Sequence, residues 1–268
     1  MITARQRVVW TAIGGTLIVA FAMVLGLYFG GDGDVPMVPL ATKTTKPMEH
    51  PLFLEQTYER NKMVAAQLEA RDIESPRVLA AMGRVPRHAF VPDHGQPVAY
   101  NDHPIRIGKG QTISQPYIVA YMTQALGLQA NDRVMEVGTG SGYQAAVLAE
   151  VAQSVHTIEI LPGLAKRARS VLQALGYQNI QYRVGDGYAG WPEAAPFDAI
   201  MVTAAPGHVP QPLLDQLDIG GRLVIPVGEE QQALMLFERT PTGFKETRLL
   251  PVRFVPMTGQ AQEPPSKN

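Results

Sequence analysis

The 268-residue sequence contains no cysteine and almost no excess of charge of either sign. The absence of cysteine excludes disulfide bonds, thiolate catalysis and cysteine-ligated metal sites. Its 23 basic and 24 acidic residues give a formal net charge of -1, so no basic surplus points to nucleic acid as a partner. The histidines lack the spacing of metal ligands, and no metal is expected. They are His50, His88, His94, His103, His156 and His208.

One long apolar run lies near the N-terminus. Residues 8–29 carry no charge and would extend roughly 33 Å as a helix, enough to cross a hydrocarbon core of about 30 Å. Arg5 and Arg7 precede the run, and Asp32 and Asp34 follow it. The run is long for a signal peptide and ends without a small-x-small cleavage site. We therefore predict an uncleaved membrane anchor over residues 1–30, with a cleaved signal as the alternative.

The charges that flank the run also predict its orientation. Basic residues before the span favour a cytoplasmic N-terminus, which places the rest of the chain on the extracytoplasmic (periplasmic) side. A cofactor made in the cytosol conflicts with that location, so a cytoplasmic domain stays the alternative.

The rest of the chain divides by composition and periodicity. Glycine and proline mark a linker over residues 31–50, and residues 51–110 predict a small helical cap without a strong core of its own. Within the cap, helices are expected over 54–68 and 76–82, and prolines indicate an extended connector over 85–92. The main domain is predicted over residues 111–260, with a flexible tail over 261–268.

In the main domain, helical and strand patterns alternate. This alternation predicts an α/β fold whose doubly wound sheet is mainly parallel, with an antiparallel hairpin at one edge. Helices are predicted over residues 116–126, 143–151, 164–175 and 212–217. Strands are predicted over residues 133–137, 154–160, 180–184, 197–203, 221–227, 233–238 and 249–255.

A glycine-rich turn follows the first of these strands. Gly138, Gly140 and Gly142 alternate there, and Tyr143 stands where a dinucleotide-binding turn needs a third small residue. With Glu136 two residues ahead, the turn resembles the first motif of class I S-adenosylmethionine methyltransferases. An acidic residue beside the turn suits a cationic ligand without phosphates. An ordinary strand-to-helix turn is the alternative.

Two further acidic residues follow in the order that this resemblance implies. Glu159 ends the second strand, 21 residues after Gly138, where a carboxylate can accept hydrogen bonds from both ribose hydroxyls. Asp186, between Gly185 and Gly187, follows the third strand, where methyltransferases bind the adenine amino group. A surface glutamate and a plain turn are the respective alternatives.

The segment before the main domain contains Thr112, Ile113 and Ser114. Ser114 lies two residues before Pro116, and by spacing alone it is predicted to cap the following helix. The motifs that surround Ser114 in the sequence support a second interpretation. Thr-Ile-Ser-Gln-Pro-Tyr, Glu-Val-Gly-Thr-Gly-Ser-Gly-Tyr, Gly-Asp-Gly, Phe-Asp-Ala-Ile, Gly-Gly-Arg-Leu-Val-Ile-Pro-Val-Gly and Val-Arg-Phe-Val-Pro occur in this order. Together they resemble the protein-L-isoaspartate O-methyltransferase family over residues 56–257.

The resemblance implies a Rossmann-like fold, S-adenosyl-L-methionine as cofactor, and isoaspartyl proteins and peptides as substrates. It implies that Ser114 is the catalytic residue, acting on an isoaspartyl carboxylate whose methylation starts repair through a succinimide. The implied cofactor contacts are Glu136, Gly138, Gly140, Glu159, Asp186 and Gly187. The implied substrate contacts are Thr112, Ile113, Val255 and Pro256. A methyltransferase for another carboxylate and a catalytically silent peptide-binding module are the alternatives.

Overall fold

The computed structural model describes residues 50–262 of the chain. The predicted anchor, nearly all of the predicted linker and residues 263–268 lie outside this part. Between residues 50 and 262, no helix is long and apolar enough to cross a membrane.

The region predicted as a cap is helical, with one correction. Helix α1 (Thr57–Met63) continues into a π-helical segment over Val64–Glu69, and α2 spans Pro76–Arg84. The prediction of an extended connector over 85–92 was wrong, because Arg87–Phe90 forms a 3-10 helix. Pro86 precedes that helix and Pro92 follows it, so neither ring interrupts a helical turn.

The cap ends in a short hairpin that the sequence analysis missed. Strands β1 (Ile105–Gly108) and β2 (Gln111–Ile113) pair antiparallel across a tight turn at Lys109. The domain boundary predicted at residue 110 falls inside this turn. The hairpin leads directly into Ser114 and thereby positions the predicted catalytic residue.

The main sheet has seven strands in the order β5-β4-β3-β6-β7-β8-β9. The first five strands in this order run parallel, and β8 and β9 pair antiparallel at one edge, which confirms the α/β fold with a mainly parallel sheet. The strands are β3 (Arg133–Val137), β4 (Ser154–Glu159), β5 (Ile180–Val184), β6 (Phe197–Val202), β7 (Leu217–Val227), β8 (Gln232–Thr240) and β9 (Gly243–Val252).

The strand order reverses between β3 and β6. From β3 the chain proceeds outward through β4 and β5, and it then returns to place β6 on the other side of β3. Such a switch point opens a crevice at the carboxyl ends of the strands, which is where open α/β sheets bind ligands.

Four helices connect these strands or lead into the sheet. They are α3 (Pro116–Ala125), α4 (Tyr143–Val151), α5 (Pro162–Ala174) and α6 (Gln211–Asp215). One strand boundary differs in a way that matters for the site. The last strand was predicted over 249–255, but β9 ends at Val252. Val255 instead accepts a hydrogen bond from the Ala205 amide at 2.8 Å.

The core lies on both faces of the sheet. On one face, Val134 and Leu148 belong to the same buried cluster as Met63 and Leu68 from the cap. On the other face, Met135 belongs to a second buried cluster. The cap therefore shares the core of the main domain, in keeping with its predicted lack of a strong core of its own.

Candidate active site

The glycine turn connects β3 to α4 at the switch point. Gly138 has φ +98°, and a Cβ there would lie 2.3 Å from the Thr203 Oγ1 atom. The Thr203 hydroxyl donates to the Gly138 carbonyl at 2.7 Å, and the Gly138 amide donates to the Ile158 carbonyl at 2.8 Å. Only glycine combines this positive φ with so close an approach to Thr203, so glycine is required for the shape of the turn.

Glu159 lies beside this turn at the end of β4. Its buried carboxylate accepts hydrogen bonds from the Gly140 amide at 2.7 Å and the Leu161 amide at 3.0 Å. An ionised carboxylate has about four acceptor positions, so two are left for ligand hydroxyls. Glu159 thus fixes the glycine turn and presents acceptors to the cleft that it lines.

Glu136, expected as a cofactor contact, is not among the residues that line the cleft. It is fully buried in β3 behind the turn. The Thr157 hydroxyl donates to its carboxylate at 2.5 Å and lies 2.5 Å from the Thr139 hydroxyl. Burial raises the pKa of Glu136 to about 8; the Thr157 hydrogen bond opposes this and the nearby charge of Glu159 adds to it. Glu136 therefore supports the turn from within.

This pKa predicts a pH-dependent effect of Glu136→Gln. A carboxyl group whose pKa is higher in the folded state stabilises the fold below its unfolded-state pKa, and this stability is lost as pH rises toward 8. Relative to the parent, Glu136→Gln should therefore gain about 3 kcal/mol in unfolding free energy between pH 5 and pH 8. Urea unfolding at both pH values measures the gain. Glu59→Gln, at an exposed carboxylate of α1, is the control, and an equal gain there would contradict the assignment.

Asp186, expected as a second acidic cofactor contact, lies beside the cleft and is not among the residues that line it. Its exposed carboxylate accepts hydrogen bonds from the Tyr188 amide at 2.9 Å and the Gln260 amide at 2.7 Å. The neighbouring Gly187 does line the cleft. A Cβ on Gly187 would lie 2.3 Å from Val137 Cγ1, so the backbone approaches the sheet closely there.

Thr112, Ile113 and Ser114 form another wall of the same cleft. The prediction that Ser114 caps α3 was wrong: Gln115 holds the N-cap position, and no side chain caps the helix. With proline at the first helical position, the N-cap is the residue directly before it. Within residues 50–262 the Ser114 hydroxyl has no hydrogen-bond partner, so it is available to a substrate.

Arg87 is a residue of the site that the sequence analysis missed. It is fully buried, and it donates to the Ser114 carbonyl and the Ala99 carbonyl, each at 2.7 Å. Its guanidinium lies 4.9 Å from the centre of the Tyr143 ring. Burial lowers the pKa of Arg87 to about 10, with Tyr143 among the groups that oppose the shift, so it stays cationic at neutral pH. Arg87 and His88 stand together in a Val85–Phe90 stretch whose other residues are apolar, and this is the signal that could have revealed Arg87.

The chain beyond β9 forms the third wall. Ala205 holds it through two backbone hydrogen bonds of 2.8 Å, one to the Val255 carbonyl and one from the Met257 amide. Val255 and Pro256 consequently line the cleft, together with Met257 and Thr258. The predicted peptide-binding residues from both ends of the main domain therefore meet in one place.

The cleft lies at the switch point of the sheet, where open α/β sheets bind ligands, and all three walls line it. Among the described residues, Glu159 is the only charged side chain that lines it. A phosphate-bearing dinucleotide would meet a carboxylate and no cation there, whereas a nucleoside with a positive charge matches the site. S-adenosylmethionine fits the cleft on these grounds. The backbone of Gly138, Gly140 and Gly187, which lines the cleft, is where the cofactor would approach the main chain.

An open, mainly parallel sheet whose switch point carries a glycine turn and the carboxylate of Glu159 is typical of S-adenosylmethionine-dependent, Rossmann-like methyltransferases. Residues 58–262 match the family model described as protein-L-isoaspartate(D-aspartate) O-methyltransferase, and the chain belongs to this family.

Individual relatives agree with this membership. A protein-L-isoaspartate O-methyltransferase from Picosynechococcus sp. is 58% identical over 202 residues, covering 75% of this chain and 91% of the relative. A solved protein-L-isoaspartate O-methyltransferase superposes with a TM-score of 0.70 at 29% identity, covering 75% of this chain and 67% of that one. A Plasmodium falciparum structure, titled a beta-aspartate methyltransferase in complex with S-adenosyl-L-homocysteine, gives 0.66 at 25% identity and covers 74% and 98%.

Proposed function

We propose that this protein transfers a methyl group from S-adenosylmethionine to the free carboxylate of L-isoaspartyl residues in damaged proteins, which starts their repair through a succinimide. The observation that carries the proposal is the meeting of three segments at one cleft. The glycine turn and Glu159 form the cofactor side, and Thr112–Ser114 with Val255 and Pro256 form the side that faces a peptide.

For this reaction the protein needs mainly to bind the two reactants and to orient them. When bound, S-adenosylmethionine supplies an electrophilic methyl group on a sulfonium. A carboxylate is already ionised at neutral pH, so no general base is needed. We assign to the Ser114 hydroxyl the role of donating a hydrogen bond to one carboxylate oxygen and orienting the other toward the methyl group. Apolar walls at Ile113, Val255 and Met257 keep water away from the reacting groups.

A pair of peptides tests the proposal. One contains an L-isoaspartyl residue and the other a normal aspartyl residue in the same sequence, and each is incubated with protein and S-adenosylmethionine labelled in the methyl group. We expect base-labile methyl ester on the isoaspartyl peptide alone. Equal labelling of both would indicate a methyltransferase for another carboxylate. S-adenosylmethionine binding without labelling would indicate a silent peptide-binding module, and either result contradicts the proposal.

We also propose that residues 1–30 anchor the enzyme in a membrane with its domain on the extracytoplasmic side. The uncharged run of residues 8–29 and the flanking charges at Arg5, Arg7, Asp32 and Asp34 support this. Topology reporters fused after Asn268 test it: an enzyme active only outside the cytoplasm should give signal, and a cytoplasm-active reporter should not. The reverse pattern would place the domain beside cytosolic S-adenosylmethionine and overturn the proposed side.

A further inference from the structure

Residues 255–262, here called the C-terminal strap, cross the cleft from one side to the other. The strap starts beside Ala205, where Val255 and Pro256 face the peptide side. It ends in a 3-10 turn over Gly259–Gln262, in which Ala261 is buried. The tail predicted over residues 261–268 begins inside this turn.

Asp186 fastens the far end of the strap. One carboxylate oxygen accepts from the Tyr188 amide at 2.9 Å, which fixes the side chain to its own loop. The other accepts from the Gln260 amide at 2.7 Å, across 74 residues of sequence. A carboxylate makes stronger hydrogen bonds to amides than a neutral acceptor does, so this contact is well suited to hold the far end of the strap.

The surroundings of Gly259 show independently that the strap packs closely against Asp186 and Ile160. It has φ +84°, and a Cβ there would lie 2.4 Å from the Asp186 Oδ2 atom and 2.9 Å from Ile160 Cδ1. Ile160 directly follows Glu159 and lines the cleft, as does Thr258. The strap therefore lies against the cofactor side at Ile160 while its first residues form the peptide side.

We propose that Asp186 is a positioning residue, which fastens the C-terminal strap so that the peptide side and the cofactor side of the cleft form together. Release of this one contact should weaken both sites at once. The inference rests on the proposed function only for the identity of the peptide.

Gly259→Ala tests the proposal, because it pushes the strap away from Asp186 without touching Ser114 or Glu159. We expect KM for an isoaspartyl peptide and Kd for S-adenosyl-L-homocysteine each to rise roughly tenfold, as for loss of one charge-assisted hydrogen bond. Turnover at saturation should stay within about twofold of the parent value.

Gly220→Ala is the matched control. Gly220 also has φ +84°, but no atom lies within 4 Å of its added Cβ. It therefore imposes the same backbone strain away from the cleft, and we expect parental KM and Kd. A rise in Kd alone in Gly259→Ala would make the strap part of the cofactor site only and overturn the proposal. Unchanged constants, or equal effects in both variants, would also overturn it.

Asp186→Asn provides a second measurement that does not need activity. The amide group replaces one acceptor oxygen by a donor, so the Gln260 amide should exchange hydrogen at least tenfold faster, with exchange in β3 unchanged. Asp132→Asn, which alters another carboxylate that accepts a backbone amide (from Gln129 at 2.7 Å), should leave Gln260 unaffected. Unchanged exchange in Asp186→Asn would overturn the proposal. If isoaspartyl methylation itself fails, this exchange measurement still decides whether Asp186 holds the strap.

Discussion

Ser114→Ala is expected to lower the rate of methyl transfer by roughly 10- to 100-fold, as for loss of one hydrogen bond to a charged group. The Ser114 hydroxyl faces the cleft and has no partner within residues 50–262, and it does not cap α3. The substitution therefore removes no hydrogen bond of the fold. We therefore expect the substitution to disturb only the orientation of the substrate carboxylate.

The measurement is a set of saturation kinetics with isoaspartyl peptide, combined with calorimetric binding of S-adenosyl-L-homocysteine and thermal unfolding. We expect kcat to fall, and Kd and Tm to stay at parental values. Ser75→Ala is the control, because Ser75 precedes α2 without capping it by its side chain and lies away from the cleft. A parallel loss of Tm and cofactor affinity in Ser114→Ala would show that the serine serves the fold instead.

Local patterns were sufficient to predict the central part of the sheet. Strands β3 and β5 have the predicted bounds, because each is a short apolar or alternating segment bounded by glycine or polar residues. The glycine turn was also predicted from a local pattern, because the glycines that form it are close together in the sequence. The hairpin of β1 and β2 was missed, because strands of four and three residues show little periodicity.

The positions of the acidic side chains depend on contacts that local patterns do not contain. Nearly all of β3 is buried on both faces, so alternation could not show that Glu136 points behind the turn. Asp186 bonds to Gln260, 74 residues later, and Arg87 bonds to Ser114, 27 residues later. Such partners are defined only once the sheet and the C-terminal strap have brought distant segments together.

Glu159→Ala is expected to weaken S-adenosylmethionine binding by roughly 100-fold, because it removes two kinds of interaction together. The acceptors that face the cleft are lost to the ligand. The amides of Gly140 and Leu161 lose their carboxylate partner, so the glycine turn is no longer held in its binding shape. Glu159→Ala therefore removes both the preorganisation of the glycine turn and the direct contact with the ligand.

Two comparisons separate these contributions. Glu159→Gln keeps one acceptor oxygen of the same reach, and we expect it to recover part of the affinity. Glu193→Ala removes an exposed carboxylate that pairs with Arg183 at the surface, and it should leave binding unchanged. With saturating S-adenosylmethionine, Glu159→Ala should regain most of its kcat, in contrast to Ser114→Ala. A kcat that stays low at saturation would mean that Glu159 contributes to methyl transfer itself, and the division of the cleft into a cofactor side and a peptide side would be wrong.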